Sequence, residues 1–342
     1  MLRSLCGVSP TLQHEKPTCA RFRLRAHSKK IFAQAANKGN GSGNEKAVRF
    51  SNRPKRIILV RHGESEGNVD EAVYQRTPDH RVRLTQKGCE EAQKAGAQIR
   101  FLTGEHGRVY FYVSPYVRTL QTLLELSKCF SKEQIAGVRE EPRIREQEFG
   151  NLQDERMPLS KRKRMTYGRF FFRFPDGESA ADVYDRVTGF RETLRGDIDG
   201  IRFQNEDADN LTIVIVIHGI SLRVFLMRWY KLSLQQFEQL HNPKNCELVV
   251  MERGKNDRYS LSLHHSEAWL REFGFDDQMI EDQKWQAESC QFQINTAWPT
   301  SGPSFFDDLQ DRIDQNSGPD NTPTPTLRED MEKYCPQQEP DY

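Results

Sequence analysis

The sequence predicts an α/β fold: a three-layer α/β/α sandwich around a mainly parallel central sheet. Three observations lead there. Short, solidly apolar runs recur at 56–60, 109–113 and 211–217, the pattern of strands buried on both faces. Amphipathic helical stretches separate them, and such alternation marks a parallel sheet covered on both sides. Each run also stops at a polar cluster: Arg61-His62-Gly63, then Ser114-Pro115 with Arg118, then His218-Gly219.

Taken in order, Arg56-Ile-Ile-Leu-Val60 is the first strand. Thr85 stands as N-cap of a helix running to about Leu102, with Ala92, Ala95 and Ile99 on one face. Residues 109–113 form a second strand, broken by Ser114-Pro115, and a helix follows through Leu120, Leu123, Leu124 and Leu126. A third helix spans 182–194. The run 211–217 is the strongest strand, with a helix after it to about Tyr230, and 246–252 with 259–263 close the sheet as an antiparallel pair.

Composition narrows the class. The chain has 342 residues, with 50 Lys+Arg against 49 Asp+Glu, which gives no general reason to expect nucleic acid. No apolar run approaches the ~20 residues of a membrane span. The seven cysteines are odd in number and scattered without a C-x-x-C pair, so neither a disulfide scaffold nor a zinc ribbon is expected. The adjacent His264-His265 is set aside as a metal pair, because neighbours on a strand point to opposite faces. No metal and no cofactor are expected. Phosphate-binding loops, dinucleotide turns and nucleophile elbows have no match.

In a parallel sheet, ligands bind beyond the carboxyl ends of the strands. There the polar clusters converge, two histidines and two arginines from distant stretches of chain. Two guanidiniums grip a tetrahedral oxyanion through their planar forks. A neutral imidazole beside them can attack phosphorus, provided its other nitrogen is held as a donor. Gly63 is expected to let the backbone approach the phosphate. His218 can donate to oxygens that gain charge. A carboxylic acid of raised pKa is still needed for the leaving alcohol.

These residues also carry a resemblance. The stretch Leu59-Val60-Arg61-His62-Gly63-Glu64-Ser65-Glu66-Gly67-Asn68 resembles the signature of the histidine phosphatase superfamily, in its phosphoglycerate-mutase-like branch. Leu84-Thr85-Gln86-Lys87-Gly88, the segment 114–122, Glu146 with Phe149-Gly150, the turn 174–179 and Ile217-His218-Gly219 continue it in order over about 55–260. Plant phosphoglycerate-mutase-like proteins and fungal broad-range acid phosphatases look most similar. The resemblance implies a phosphoglycerate-mutase-like fold with a catalytic domain at 54–265. It implies His62 as phosphate-accepting nucleophile, Glu146 as acid and then base, and His218, Arg61, Arg118, Asn68 and Gly219 around the phosphate.

A phosphomonoesterase acting on small anionic phosphate monoesters is the function expected, with a mutase or an inactive phosphate-binding module as alternatives. True mutases of this kind tend to show Glu-Arg-His-Tyr-Gly at the acid, using the Arg to hold a substrate carboxylate. This chain has Glu146-Gln147-Glu148-Phe149-Gly150, and Glu148 is expected to repel an acidic sugar. Between Arg156 and Arg173 lie seven basic residues and no acid, including Lys161-Arg162-Lys163-Arg164. This insertion is expected to overhang the pocket and favour a second anionic group.

The ends differ in character. Residues 1–50 hold ten Lys/Arg and two acids, as organelle transit peptides do. A chloroplast or other organelle is therefore expected, with the cytoplasm as alternative. Residues 266–300 read as an appendage. Residues 301–342, with ten acids, three basic residues and six prolines, read as a disordered tail.

Overall fold

The computed structural model describes residues 53–289, apart from 152, 154, 201, 204 and 205, together with Leu309 and Ile313. The expected targeting segment and nearly all of the acidic tail lie outside the described residues. Six strands form one sheet: β1 (Arg56–Arg61), β2 (Arg108–Val113), β3 (Ile135–Glu140), β4 (Leu211–Ile217), β5 (Leu248–Arg253) and β6 (Tyr259–Ser260). Between β1 and β2 come α1 (Glu66–Val69) and α2 (Gln86–Thr103), and between β2 and β3 comes α3 (Val117–Ser127). Before β4 lie α4 (Met157–Tyr167) and α5 (Ala180–Asp199), and after it α6 (Gly219–Tyr230) and α7 (Leu234–Gln239). The helices α8 (Glu267–Glu272) and α9 (Asp277–Glu288) follow β6.

The strand order is β3-β2-β4-β1-β5-β6. β1 and β2 flank β4 in parallel, β3 runs parallel to β2, and β5 and β6 are antiparallel additions. Alternation along the strands sends side chains to two cores. Ile57, Leu59, Tyr112, Ile213 and Ile215 face Val187, Phe190 and Phe225 of α5 and α6. Ile58, Val60, Phe111, Val214 and Val216 face Ile99 of α2 and Leu126 of α3. The sandwich therefore has its three layers.

Several details depart from the sequence reading. β3 was not expected, because Ile-Ala-Gly-Val-Arg-Glu has no solid apolar run. It is an edge strand with no buried residue. α3 packs Leu126 and part of Leu123 on the core and gives its other inward positions to polar residues. Leu120 and Leu124 are exposed, while Arg118, Thr119 and Thr122 are buried with Leu126. Polar partners beneath the helix explain this orientation. Thr119 donates to Ser114 O at 2.9 Å, and Thr122 Oγ1 accepts from Gly63 N at 3.1 Å. His264 and His265 lie beyond the end of β6, so opposite faces of a strand do not separate them. Their rings are 4.8 Å apart, and His265 Nε2 accepts from Val250 N at 2.9 Å. Residues 266–289 are two helices that place Leu270, Phe273, Met279 and Ile280 in the core.

The parallel register positions what comes next. Arg61 pairs with Ile217 and Val113 with Val216, so the three central strands end flush. His62 N donates to Ile217 O at 3.0 Å and Ser114 N to Val216 O at 3.1 Å. His62, Ser114 and His218 thus leave the sheet side by side. The turn after β1 is fixed by α2, where Gly63 and Gly88 pack backbone to backbone. A Cβ on either would overlap a carbonyl, Gly88 O or Glu64 O. Gly88→Ala should therefore destabilise by about 1–3 kcal/mol, read as a fall of about 3–10 °C in the unfolding midpoint. A midpoint unchanged by this substitution would contradict the close packing.

Candidate active site

His62 sits at the end of β1, buried, in one tautomer. Its Nδ1 lies 2.8 Å from Gly63 O, a pure acceptor, so Nδ1 carries the proton and Nε2 the lone pair. Arg118 Nε donates to that Nε2 at 3.3 Å. Burial, then the charges of Arg118 and Arg61, hold the imidazole well below the usual histidine range, with the Gly63 carbonyl opposing. The ring stays neutral.

Arg118, from the first turn of α3, is buried and held by Asp79. Its Nη1 donates to the Asp79 carbonyl at 2.7 Å and to its carboxylate at 2.8 Å. Burial works against the Arg118 charge, but Asp79 outweighs it and keeps the guanidinium firmly protonated. The Tyr116 ring lies 5.0 Å beneath, and also packs edge-on against His218. Arg61 comes from the last position of β1 and donates from Nη1 to Pro243 O at 2.7 Å, while its Nε is buried with no partner.

His218 ends β4 and caps α6, with its ring centroid 5.2 Å from that of His62. The Ser114 hydroxyl is 2.7 Å from His218 Nε2, and Nδ1 is buried without a partner. With Ser114 as donor the ring proton is on Nδ1, and with Ser114 as acceptor it is on Nε2. Burial, then the Arg118 charge, keeps this histidine neutral too. Gly219 opens α6, whose first amides point away from the sheet. A side chain there would overlap the Asn242 amide.

Asn68 lies in α1. Its Oδ1 accepts from Ser65 N and Ser65 Oγ at 3.1 Å, and from Asn245 Nδ2 at 3.2 Å. With the oxygen fully used, the amide nitrogen is the group left to bind. Asn245 also donates to His62 O at 3.0 Å, and so ties Asn68 to the β1 turn.

Glu146 stands on the loop after the 3-10 turn at Pro142–Ile144. Burial raises its carboxyl above the usual range, against the pull of Arg118 and the Gln147 N–H, which donates to Oε1 at 3.0 Å. This loop is clamped from behind. Arg186 of α5 donates to the carbonyls of Arg143, Arg145 and Glu146 at 2.7–3.0 Å. Glu178 binds Arg186 and Arg145 through its carboxylate, and Gln147 Nε2 donates to Glu178 O at 2.7 Å.

The structure therefore brings His62, Arg61, Arg118, His218, Gly219, Asn68 and Glu146 to one edge of the sheet. One expectation is corrected. Gly63 does not bare its backbone to a ligand; its N–H is committed to Thr122 and its Cα to Gly88. Gln147, next to the acid, has its side chain fully buried against Glu178. Sequence reasoning missed Asp79, Asn245 and Arg186. Each acts through one hydrogen-bond pattern across distant segments, which leaves no local motif. Of the basic run, Lys161 pairs with Glu71 at 2.7 Å, Arg162 and Lys163 are exposed, and Arg164 turns inward.

Comparison with known proteins gives the family. Residues 57–265 match the histidine phosphatase superfamily (branch 1). The phosphoglycerate mutase-like protein AT74 of Arabidopsis thaliana is 51% identical over 264 residues, 75% of this chain and 84% of that protein. The broad-range acid phosphatase DET1 of Saccharomyces cerevisiae is 31% identical, covering 62% of this chain and 90% of its own length. Phosphoserine phosphatase 1 of Hydrogenobacter thermophilus is 32% identical, over 61% of this chain and 92% of its own. This chain belongs to branch 1 of the histidine phosphatase superfamily.

Proposed function

We propose that the chain is a phosphomonoesterase that works through a covalent phosphohistidine on small anionic phosphate monoesters. The observation that carries this reading is the fixed His62 tautomer, with Nδ1–H on Gly63 O and the Nε2 lone pair beside Arg118. A monoester phosphate lies between Arg61 and Arg118, with Asn68 Nδ2, a His218 ring N–H and the α6 amides as further donors. Nε2 attacks phosphorus, the P–O ester bond breaks, and the departing alkoxide takes the proton of Glu146. Glu146 then removes a proton from water, whose oxygen attacks the phosphohistidine. The N–P bond breaks, releasing inorganic phosphate and neutral imidazole. The related acid phosphatase and phosphoserine phosphatase support hydrolysis as the outcome. A mutase would return the phosphoryl group to the sugar acid, and assaying phosphoglycerate isomerisation beside phosphate release separates the two.

Brief incubation with a reactive phosphodonor should leave acid-labile label on the wild-type protein and none on His62→Ala, which should also lose phosphatase activity. Full activity in that variant would exclude the mechanism.

The pH profile follows from the two shifts. His62, with its lowered pKa, is already the free base in mild acid, so attack is not limited there. Glu146, with its raised pKa, keeps the needed proton above the ordinary carboxylate range and loses it as pH rises further. For an alkyl monoester, kcat/KM should therefore be high in acid and fall as Glu146 ionises. With p-nitrophenyl phosphate, whose leaving group needs no proton, that fall should be shallow. Glu146→Gln should cost the alkyl ester about 10²–10⁴-fold and the nitrophenyl ester much less.

Glu178 is a positioning residue for the same step. Glu178→Gln loosens the clamp on the acid loop, so kcat for the alkyl ester should fall about ten-fold, in the range of lost supporting contacts, with KM nearly constant. An equal loss with p-nitrophenyl phosphate would show a general structural role instead.

A further inference from the structure

The partners of Arg118 divide its guanidinium in two. A planar guanidinium has two bidentate edges, one formed by both Nη atoms and one by Nε with Nη2. The Asp79 carboxylate takes the first edge, with Oδ1 2.8 Å from Nη1 and Oδ2 3.4 Å from Nη2. The second edge faces the nucleophile, where Nε donates to His62 Nε2 at 3.3 Å. A phosphoryl group attacked by that Nε2 meets the second edge, while the first stays with Asp79.

Orientation alone does not call for a charge behind Arg118. The Asp79 carbonyl already accepts from Nη1 at 2.7 Å, and the Pro243 carbonyl accepts from Arg61 Nη1 at the same distance. A neutral oxygen suffices to orient Arg61. The segment carrying Asp79 is also braced without the carboxylate. Its 3-10 turn, Asp79–Arg81, is closed by Arg81 N on Pro78 O at 2.8 Å, and Val82 behind it is fully buried. Leu84 N donates to Gln121 Oε1 at 2.9 Å, one turn further along α3.

The charge of Asp79 reaches across the pocket. Burial raises the Glu146 carboxyl and the Tyr74 and Tyr116 phenols, and for each of them Asp79 is the next influence in that direction. The same field acts on a bound phosphate, because a negative charge on one edge of Arg118 weakens the pull of the other edge on a second anion. That matters for turnover. Each phosphohistidine cycle ends with inorganic phosphate in the pocket, and charge-assisted bonds from two bare guanidiniums would hold it tightly. Binding that does not favour the transition state gains nothing once the site is filled.

We propose that Asp79 is a built-in counter-anion of the phosphate site, a positioning residue that loosens the grip of Arg118 so that product phosphate leaves. This rests on the phosphatase reading and assigns how the same site limits its own hold on phosphate.

The test measures binding of inorganic phosphate to the full chain by calorimetry, beside turnover of p-nitrophenyl phosphate. Asp79→Asn keeps an amide oxygen and the main-chain carbonyl for Nη1 and removes only the charge. It should bind phosphate about ten-fold more tightly than wild type, the size of effect one neighbouring charge has at this range. Its KM for p-nitrophenyl phosphate should fall in the same direction, whereas a lost structural support would raise both. Asp79→Glu, which keeps the charge, should stay close to wild type. Unchanged or weaker phosphate binding by a folded Asp79→Asn protein overturns the counter-anion and, with p-nitrophenyl phosphate still turned over, leaves the phosphatase reading standing. Equal tightening in Asp79→Glu would trace the change to the turn instead of the charge and overturns the proposal too. Wild type that binds phosphate without hydrolysing p-nitrophenyl phosphate overturns the phosphatase reading, and the release role with it.

Discussion

The whole arrangement depends on keeping one imidazole neutral inside a concentration of positive charge. His62 is buried, faces Arg118 and Arg61, and has a single hydrogen bond, to Gly63 O, to hold its proton on the remote nitrogen. The guanidiniums that would bind a phosphate also repel protonation of the imidazole that would attack it. Nucleophile and anion site are therefore one electrostatic object. Anchoring Arg118 to Asp79 orients the guanidinium before any ligand arrives, because Nη1 is held by both the carbonyl and the carboxylate of Asp79.

A flush parallel register brings the parts together. β1, β4 and β2 end within a residue of one another, so whatever follows each strand is presented at the same height. That register depends on the apolar runs, whose alternate side chains fill one core or the other. The polar α3 face is the counterpart of this rule. Thr119 and Thr122 share the interior face with Leu126 because the turns after β1 and β2 need hydrogen-bond partners that no apolar side chain supplies.

Legibility in the sequence followed the range over which each signal acts. Strands β1, β2 and β4 were plain because a doubly buried strand must be apolar throughout. β3 was hidden because an edge strand need not be. Thr85 and the strand-exit residues His62 and His218 stood out locally. Asn245 did not, although it binds both Asn68 and the His62 carbonyl, because its partners lie some 180 residues away in the chain. Gln147 shows the opposite failure. It sits next to the acid in the motif, but its amide is buried against Glu178. Sequence spacing located that residue and gave no hint of its direction.

Direction is also what separates the two halves of the site. The turn at 174–179, matched in the sequence without a role, supplies Glu178, whose carboxylate gathers Arg145 and Arg186 behind the acid loop. These arginines spend their hydrogen bonds on Glu178 and, for Arg186, on backbone carbonyls. They fix Glu146 without drawing its proton off, whereas arginines on the other side would favour its ionised form. Glu146 can remain protonated only while burial outweighs Arg118 and Arg61. A bound phosphate shifts this balance in the useful direction. Its negative charge offsets the two guanidiniums and disfavours a second anion at Glu146. In the reaction proposed above, substrate binding would then raise the carboxyl further as its proton is needed, and departure of the leaving group would restore a base for the water that follows.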